Sequence, residues 1–306
     1  MKNMKIGLAL GSGSARGWAH IGVIRALEEQ GIKPDIVAGC SVGALVGAAY
    51  CGGHLDALEQ WVKGLSFWDV VRLLDVKMAG GLIEGDSLMA SFEDKLRDAN
   101  IEELPLPFAA VATDLASGRE VWLQEGPLPT AVRASIALPG LFSPIHLNDR
   151  WLVDGGLTNP VPISLCRAMG ADVIIAANLN SDLIGRHLKT RAQQKQLFGG
   201  QERDLFNQLL KKLNSGMLES TLAKWTREKR GGETAPGLFE VMASSINIMQ
   251  DRITKSRMAG DPPDVLLSPR LGQLGLLEFD RAGEAIAEGY ESVQRMETTL
   301  RHVLNS

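Results

Sequence analysis

The 306-residue sequence has few cysteines, no long apolar run and little net charge, and each of these absences excludes a class of protein. Its three cysteines lack metal-ligand spacing and suggest no disulfide framework. No apolar run reaches the length of a membrane span, and the run at residues 6–10 is too short for the core of a signal peptide. A net charge of −4 argues against a nucleic-acid partner. We therefore expect a cytoplasmic protein.

The charge is distributed unevenly along the chain. Residues 186–232 contain eleven Lys or Arg against four Asp or Glu, a local charge of +7, so the remainder carries −11. Within this stretch an apolar stripe recurs at Leu205, Phe206, Leu209, Leu210 and Leu213. A basic amphipathic helix can lie on an anionic membrane surface, and a solvated insertion that packs its stripe on the body has the same pattern. Both interpretations stay open.

Alternating strand and helix patterns predict one α/β domain over residues 1–306, built around a largely parallel sheet. Short apolar runs predict strands at residues 5–10, 36–40, 106–113, 151–153, 172–177 and 265–267, and a strand at 119–124 joined to its predecessor by a turn. Helical spacing predicts, among others, helices at 67–76, 86–98, 238–258 and 279–304. Residues 183–236 are predicted to be a basic helical insertion within this domain.

The sequence Gly39-Cys40-Ser41-Val42-Gly43 follows an apolar run and precedes a run of small residues. A serine at a sharp turn from strand to helix needs glycines on both sides, because side chains there would collide with the neighbouring strand or helix. The start of the helix also favours developing negative charge. This pattern predicts a nucleophile elbow with Ser41 exposed at its tip.

A glycine-rich loop, residues 11–17, follows the first predicted strand and precedes a helix. A dinucleotide-binding unit has the same outline but needs an acidic residue at the carboxyl end of its second strand, where this chain has Gly39-Cys40-Ser41. Backbone N–H groups of such a loop can instead form an oxyanion hole at the same sheet edge as Ser41. A plain tight turn remains the alternative, and Arg16 either braces the loop or is solvated.

A carboxylate ends another buried strand at Asp154-Gly155-Gly156. Glycines after an acid often mark only a turn, so the motif alone does not separate a structural from a chemical role for Asp154.

Taken together and in this order, the glycine-rich loop, the serine elbow and the Asp-Gly-Gly turn resemble the patatin-like phospholipase family. The blocks match from residue 5 to about residue 177, and residues 258–264 resemble the bacterial RssA-type branch, which is related to neuropathy target esterase. The resemblance implies a three-layer α/β sandwich and a serine hydrolase acting on lipid or other acyl esters. We expect no cofactor and no metal.

The resemblance also implies roles for individual residues. Ser41 would be the nucleophile and Asp154 its base, without a histidine, and Gly39, Gly43, Gly155 and Gly156 would complete the motifs. Gly13, Ser14, Arg16 and Gly17 would belong to the oxyanion and substrate-binding loop. Two positions that are often glycine in the family are serine here, Ser12 and Ser14. A positive φ at either serine would be strained.

Two other functions fit parts of the pattern. An α/β-hydrolase triad requires a histidine after the acid, for which His187 and His302 are the candidates, and neither follows a predicted strand. A non-catalytic regulatory or membrane-associating protein could have kept the same fold.

Overall fold

The computed structural model describes residues 4–66, 69, 98–139, 141–182, 229–230, 233–234 and 238–305. The strands in these ranges are β1 (Ile6–Leu10), β2 (Ile36–Cys40), β3 (Phe108–Asp114), β4 (Glu120–Leu123), β5 (Ile145–Leu147), β6 (Arg150–Asp154), β7 (Val173–Ala177), β8 (Lys229–Arg230), β9 (Glu233–Thr234) and β10 (Val265–Leu267). The α-helices there are α1 (Ala19–Glu29), α2 (Val42–Cys51), α3 (Leu55–Lys63), α4 (Leu128–Ser135), α5 (Ile163–Ala168), α6 (Leu238–Gly260), α7 (Ala282–Gln294) and α8 (Glu297–Asn305). Short 3₁₀ turns lie at Ser14–Trp18, Ile101–Glu103, Gly155–Leu157 and Phe279–Arg281.

The main sheet has eight strands in the order β10-β7-β1-β2-β3-β6-β5, with β4 paired to β3. The pairs from β10 to β3 are parallel, whereas β4, β5 and β6 pair in antiparallel fashion. The prediction of a largely parallel sheet is confirmed. Strands β8 and β9 form a separate two-stranded pair.

Strand β3 takes two partners along one edge. Strand β2 pairs with residues 108–111 and β6 with residues 112–114, while β4 overlaps both and so occupies the opposite edge. Because β2 is parallel to β3 and β6 is antiparallel, the carboxyl ends of β2 and β6 meet head to head. The polar residues that follow or end these strands are therefore neighbours.

Helices cover both faces of the sheet, which makes the three-layer sandwich. Side chains alternate along β1, so that Leu8 and Leu10 join one apolar cluster and Ala9 joins another. Helices α1, α2, α3, α4, α7 and α8 supply residues to the first cluster. Helix α5 and Met258 of α6 pack with the second. Both faces of the parallel part of the sheet are thus withdrawn from water, as a central parallel sheet requires.

The C-terminal helix differs from the prediction of one helix at 279–304. A 3₁₀ turn precedes α7, and α7 ends at Gln294 before α8 begins at Glu297. Helix α7 packs along α1, whereas α8 contacts β10 and buries Leu300 in the first cluster. One straight helix cannot follow both surfaces, so the chain breaks between them. Strands β5, β8 and β9 were not predicted, because only two or three residues form each of them. Strands β8 and β9 lie within residues 183–236, so the prediction of a helical insertion is wrong at these four residues.

Several predictions concern residues outside the described ranges. These are the helix at 67–76, nearly all of the helix at 86–98, and the insertion 183–236 apart from β8 and β9. In the part of the chain that is described, no helix is both long enough and apolar enough to cross a membrane.

Candidate active site

The elbow predicted around Ser41 forms at the junction of β2 and α2. Ser41 adopts φ 57° and ψ −127°, a conformation that costs about 1–3 kcal/mol and persists only where the surroundings enforce it. The flanking glycines explain how the surroundings hold Ser41 in this conformation. A Cβ at Gly39 would lie 2.4 Å from Ala44 Cα, and one at Gly43 would lie 2.2 Å from Leu10 O. This close packing of the elbow backbone against α2 and β1 holds the Ser41 side chain at the edge of the sheet.

Ser41 and Asp154 meet because β2 and β6 abut on the same edge of β3. Cys40 pairs with Val111 and Asp154 pairs with Ala112, the next residue of β3. Ser41 Oγ donates a hydrogen bond to Asp154 Oδ2 at 2.6 Å. Such short O–H···O⁻ bonds are among the stronger hydrogen bonds in proteins.

Asp154 ends strand β6 beside Ser41 and lies at the inner end of the site. Its side chain is fully buried, and its Oδ1 accepts a hydrogen bond from the Gly156 N–H at 2.7 Å. Burial raises the pKa of Asp154 to about 6, and the hydrogen bonds from Ser41 and Gly156 oppose part of that rise. The carboxylate is therefore ionised at neutral pH and more basic than an aspartate in water.

Ser135 of α4 supports the elbow, and sequence reasoning did not single it out. Its Oγ accepts a hydrogen bond from Ser41 N–H at 2.9 Å and donates one to Val111 O at 2.6 Å. The side chain is fully buried. Ser135 thus links the elbow to β3 and engages the backbone N–H of the nucleophile candidate. A serine at the end of a helix has no local signal that would reveal these partners.

The glycine-rich loop presents backbone donors at the same edge. In the described ranges, the N–H groups of Gly13 and Ser14 have no protein acceptor, and both residues line a cleft with Ser41. The carbonyl of Gly13 accepts from Arg16 N at 3.2 Å and from Arg16 Nε at 3.1 Å. Because a trans peptide directs C=O and N–H to opposite sides, these bonds turn the Ser14 N–H away from Arg16.

Arg16 braces the loop, which was one of the two alternatives left open. Its side chain is buried, and Nη2 donates to Asn247 Oδ1 at 3.2 Å while Nη1 has no partner in the described ranges. Burial lowers the pKa of Arg16 to about 10, so the guanidinium stays charged at neutral pH. The last glycine of the motif, Gly17, lies so close to Val42 that a Cβ would be 1.3 Å from Val42 Cγ1.

The two serines that replace frequent glycines behave differently from one another. Ser14 has φ 52°, the strained conformation considered from the sequence, whereas Ser12 does not have a positive φ. Each hydroxyl ties the loop to the C-terminal part of the chain. Ser14 Oγ donates to Leu276 O at 2.7 Å, and Ser12 Oγ donates to Gln250 Oε1 at 3.1 Å.

A cleft that opens to solvent begins at Ser41 and Asp154. Most of its wall is apolar and comes from Val42, Ile136, Leu138, Leu141, Phe142, Ile246, Leu276 and Phe279. Asn247 and Gln250 of α6 add amide groups. Sequence reasoning identified α6 as a helix but gave it no place in the site, because its partners in the donor loop are more than 200 residues away along the chain.

The described histidines all lie away from this cleft: His20, His54, His146 and His302. His20 is fully buried, and its Nε2 lies 2.7 Å from Gly11 O. Burial lowers the pKa of His20 to about 4. His187 lies outside the described residues. Among the described residues there is also no group of three His, Cys, Asp or Glu side chains that could hold a metal ion.

Comparison with known proteins places these features in a family. An uncharacterized protein of the NTE family from Mycobacterium tuberculosis is 35% identical over 326 aligned positions, which cover 93% of this chain and 89% of that protein. The neuropathy target esterase sws of Drosophila melanogaster is 34% identical over 184 positions, 58% of this chain but only 14% of that protein.

A solved structure and a family model complete the comparison. VipD from Legionella pneumophila superposes with a TM-score of 0.56 at 15% identity, over 98% of this chain and 67% of that one, and supports the fold alone. The model of the patatin-like phospholipase family matches residues 8–167, more than half of the chain. Together with the extensive similarity to an NTE family protein, this match shows that the chain belongs to the patatin-like phospholipase family.

Proposed function

We propose that this protein is a serine hydrolase that cleaves carboxylic esters of phospholipids or lysophospholipids, with Ser41 as nucleophile and Asp154 as base. The observation that carries the proposal is the 2.6 Å hydrogen bond between a hydroxyl at a strained elbow and a fully buried carboxylate, at the start of an apolar cleft. Membership of the family supports a lipid hydrolase activity in general terms.

In the first half of the reaction Ser41 Oγ attacks the ester carbonyl carbon as its proton moves to Asp154 Oδ2. The tetrahedral intermediate then expels the alcohol, which takes the proton from Asp154, and the acyl group remains on Ser41. In the second half a water molecule gives its proton to Asp154 and attacks the acyl carbon. The carboxylic acid leaves and Ser41 regains its proton.

The backbone N–H groups of Gly13 and Ser14 would hold the negative oxygen that forms in both halves. Each preorganised donor of this kind contributes about 2.7–4 kcal/mol of transition-state stabilisation. The positive charge of Arg16, held behind the loop by its bonds to Gly13 O, favours the same oxyanion. Ser41 N–H takes no part, because it donates to Ser135 Oγ.

The apolar wall would hold the acyl chain of the substrate. Burying apolar surface is favourable by roughly 25 cal/mol per Å², so a chain in the cleft stabilises the bound complex while the ester lies at Ser41. Residues such as Leu138, Leu141 and Phe142 line this wall. We therefore expect a fatty acyl ester to be preferred over an acetyl ester.

The test compares the wild type with Ser41→Ala and Asp154→Asn on nitrophenyl esters and on a panel of phospholipids and lysophospholipids. We expect hydrolysis by the wild type and loss of about 10⁴-fold or more in each variant, as in other enzymes that lose a nucleophile or its base. Equal background rates in all three proteins would contradict the proposal and favour a non-catalytic role.

The same assay separates the dyad from a triad. His187→Ala and His302→Ala remove the two histidines that follow the acid in the sequence. Because neither takes part in the proposed chemistry, both variants should keep the wild-type rate. Loss of activity in a normally folded histidine variant would exclude a dyad that works alone.

We also propose peripheral contact of residues 186–232 with anionic lipid, supported by their local charge of +7 on an otherwise acidic chain. Replacing Lys211 and Lys212 by Gln should reduce flotation with anionic liposomes and leave cleavage of a water-soluble ester unchanged. Equal flotation of both proteins would end this idea.

A further inference from the structure

Helix α6 reaches both halves of the active site, although it lies outside residues 8–167 matched by the family model. Its Gln250 contacts Ser12 at the base of the donor loop. One end of the same helix also packs beside the 3₁₀ turn that follows Asp154, where Arg257 Nη1 donates to Thr158 O at 3.3 Å. The helix therefore connects the loop to the turn that holds the carboxylate.

The amide oxygen of Gln250 is fully engaged. Gln250 is buried, and its Oε1 accepts from Ser12 Oγ at 3.1 Å and from Asn180 Nδ2 at 3.2 Å. Asn180 Nδ2 also lies 3.4 Å from Ser12 O, which closes a small polar network around the loop. A carbonyl oxygen has two lone pairs, so these bonds determine which way the amide faces.

The amide nitrogen of Gln250 consequently faces the other half of the site. A Cβ added at Gly156 would lie 2.3 Å from Gln250 Nε2 and 2.9 Å from Asp154 Oδ1. Gln250 Nε2 thus rests against the glycine whose N–H holds the carboxylate. The absence of a side chain at Gly156 is what allows this contact.

We propose that Gln250 is a positioning residue, and this proposal rests on the function proposed above. Its amide joins Ser12 on one side to Gly156 on the other, and so sets the distance between the oxyanion donors and the Ser41–Asp154 pair. The acyl chain would contact the apolar wall, whereas the Gln250 amide contacts Ser12, Asn180 and Gly156. Loss of the amide should therefore displace the donors in the transition state and leave ground-state binding nearly unchanged.

The kinetic test uses Gln250→Met, which keeps the length of the side chain and removes its hydrogen bonds. We expect kcat to fall about 10- to 100-fold, with KM within about twofold of the wild type. Ser12→Ala should lower kcat similarly, and the double variant should be no worse than the poorer single variant, because both changes break one connection. Ile248→Ala, two residues earlier on the same helix and 52% exposed, is the matched control.

Three outcomes of this kinetic test would overturn the proposal. The first is an unchanged kcat in Gln250→Met, and the second is a rise in its KM without a fall in kcat. The third is a double variant in which the losses of kcat from Gln250→Met and Ser12→Ala multiply.

A thermal unfolding cycle tests the same connection without relying on activity. Gly156→Ala should lower the unfolding temperature, and part of that loss should disappear when Gln250 is also replaced by Ala, since the added methyl group then has room. Additive shifts in unfolding temperature would show that Gln250 does not rest on Gly156. If the wild type hydrolyses no ester, the function proposed above fails, and this cycle still decides whether the connection exists.

Discussion

At the scale of single residues, Asp154 determines how the proposed reaction depends on pH. The base must be ionised to accept the proton of Ser41, and burial raises its pKa to about 6. We expect kcat/KM on a non-ionising ester to fall as the pH drops through about 6. A pH–rate profile between about pH 4.5 and 8 measures this. A rate that stays constant down to about pH 4.5 would contradict Asp154 as the base.

The same raised pKa means that ionised Asp154 lowers the free energy of unfolding. In the unfolded chain the carboxyl titrates near 3.8, and in the folded protein near 6, so the folded state loses stability as the pH rises through this window. The shift corresponds to about 3 kcal/mol. Asp154→Asn should therefore raise the free energy of unfolding at about pH 8 by up to about 3 kcal/mol, and by much less near about pH 4. Urea unfolding at both pH values measures the difference.

Asp114→Asn is the control for the sign of this effect. Asp114 is a partly exposed carboxylate at the end of β3 whose pKa is lowered, chiefly by the Ala116 N–H, so its charged form stabilises the fold. That contribution is present at neutral pH and is lost as the pH falls. The substitution should not stabilise the protein at about pH 8. If Asp114→Asn raised the free energy of unfolding as much as Asp154→Asn does, burial of the carboxylate would not be the cause of the stabilisation.

Ser14 offers a second residue-scale prediction, because its strain and its hydrogen bond oppose each other. Ser14→Gly relieves the strain of a left-handed conformation, which stabilises the protein by about 1–2 kcal/mol. It also loses the hydrogen bond to Leu276 O, which costs about 1 kcal/mol. The greater freedom of glycine in the unfolded chain costs about 0.5–1 kcal/mol more. The sum is near zero. Ser14→Ala keeps the strain and loses the bond, so it should destabilise by about 1 kcal/mol. A higher unfolding temperature for Ser14→Ala than for Ser14→Gly would contradict this account.

At the scale of elements, local sequence was enough to predict the longer strands of the main sheet and their polar ends but not how they meet. The strand runs and the turns after them are encoded by neighbouring residues, so the elbow and the Asp-Gly-Gly turn could be located. The head-to-head meeting of β2 and β6 on β3 depends on pairing between residues 36–40, 108–114 and 150–154. The contribution of α6 likewise depends on partners near the other end of the chain.

Helix α4 provides the element-scale prediction through Ser135. Ser135→Ala removes the acceptor of Ser41 N–H and leaves that buried group unpaired, which costs about 1–3 kcal/mol. We expect lower stability and a lower kcat, because the elbow loses one of its links to β3. Thr130→Ala on the same helix is the control, since Thr130 is partly exposed and precedes Ser135 by more than one helical turn. Equal kcat values for the two variants would show that Ser135 only fills space.

At the scale of the whole molecule, the site is assembled from both ends of the chain. The donor loop follows β1 near the N-terminus, whereas Leu276 and Phe279 in the cleft wall lie just before α7. Helix α7 is held against α1, which follows the donor loop. The packing of α1 on α7 therefore connects the stability of the fold to the shape of the cleft.

Gly289 of α7 tests this connection, because a Cβ there would lie 1.9 Å from Ala19 O of α1. Gly289→Ala must separate the two helices, and we expect a loss of about 1–3 kcal/mol of stability together with a lower rate on long-chain esters. Gly283→Ala is the matched control on the same helix, since nothing lies within 4 Å of its Cβ position. There the better helix propensity of alanine should stabilise the protein by up to about 1 kcal/mol and leave the rate unchanged. Similar unfolding temperatures for the two variants would contradict a close crossing of α1 and α7.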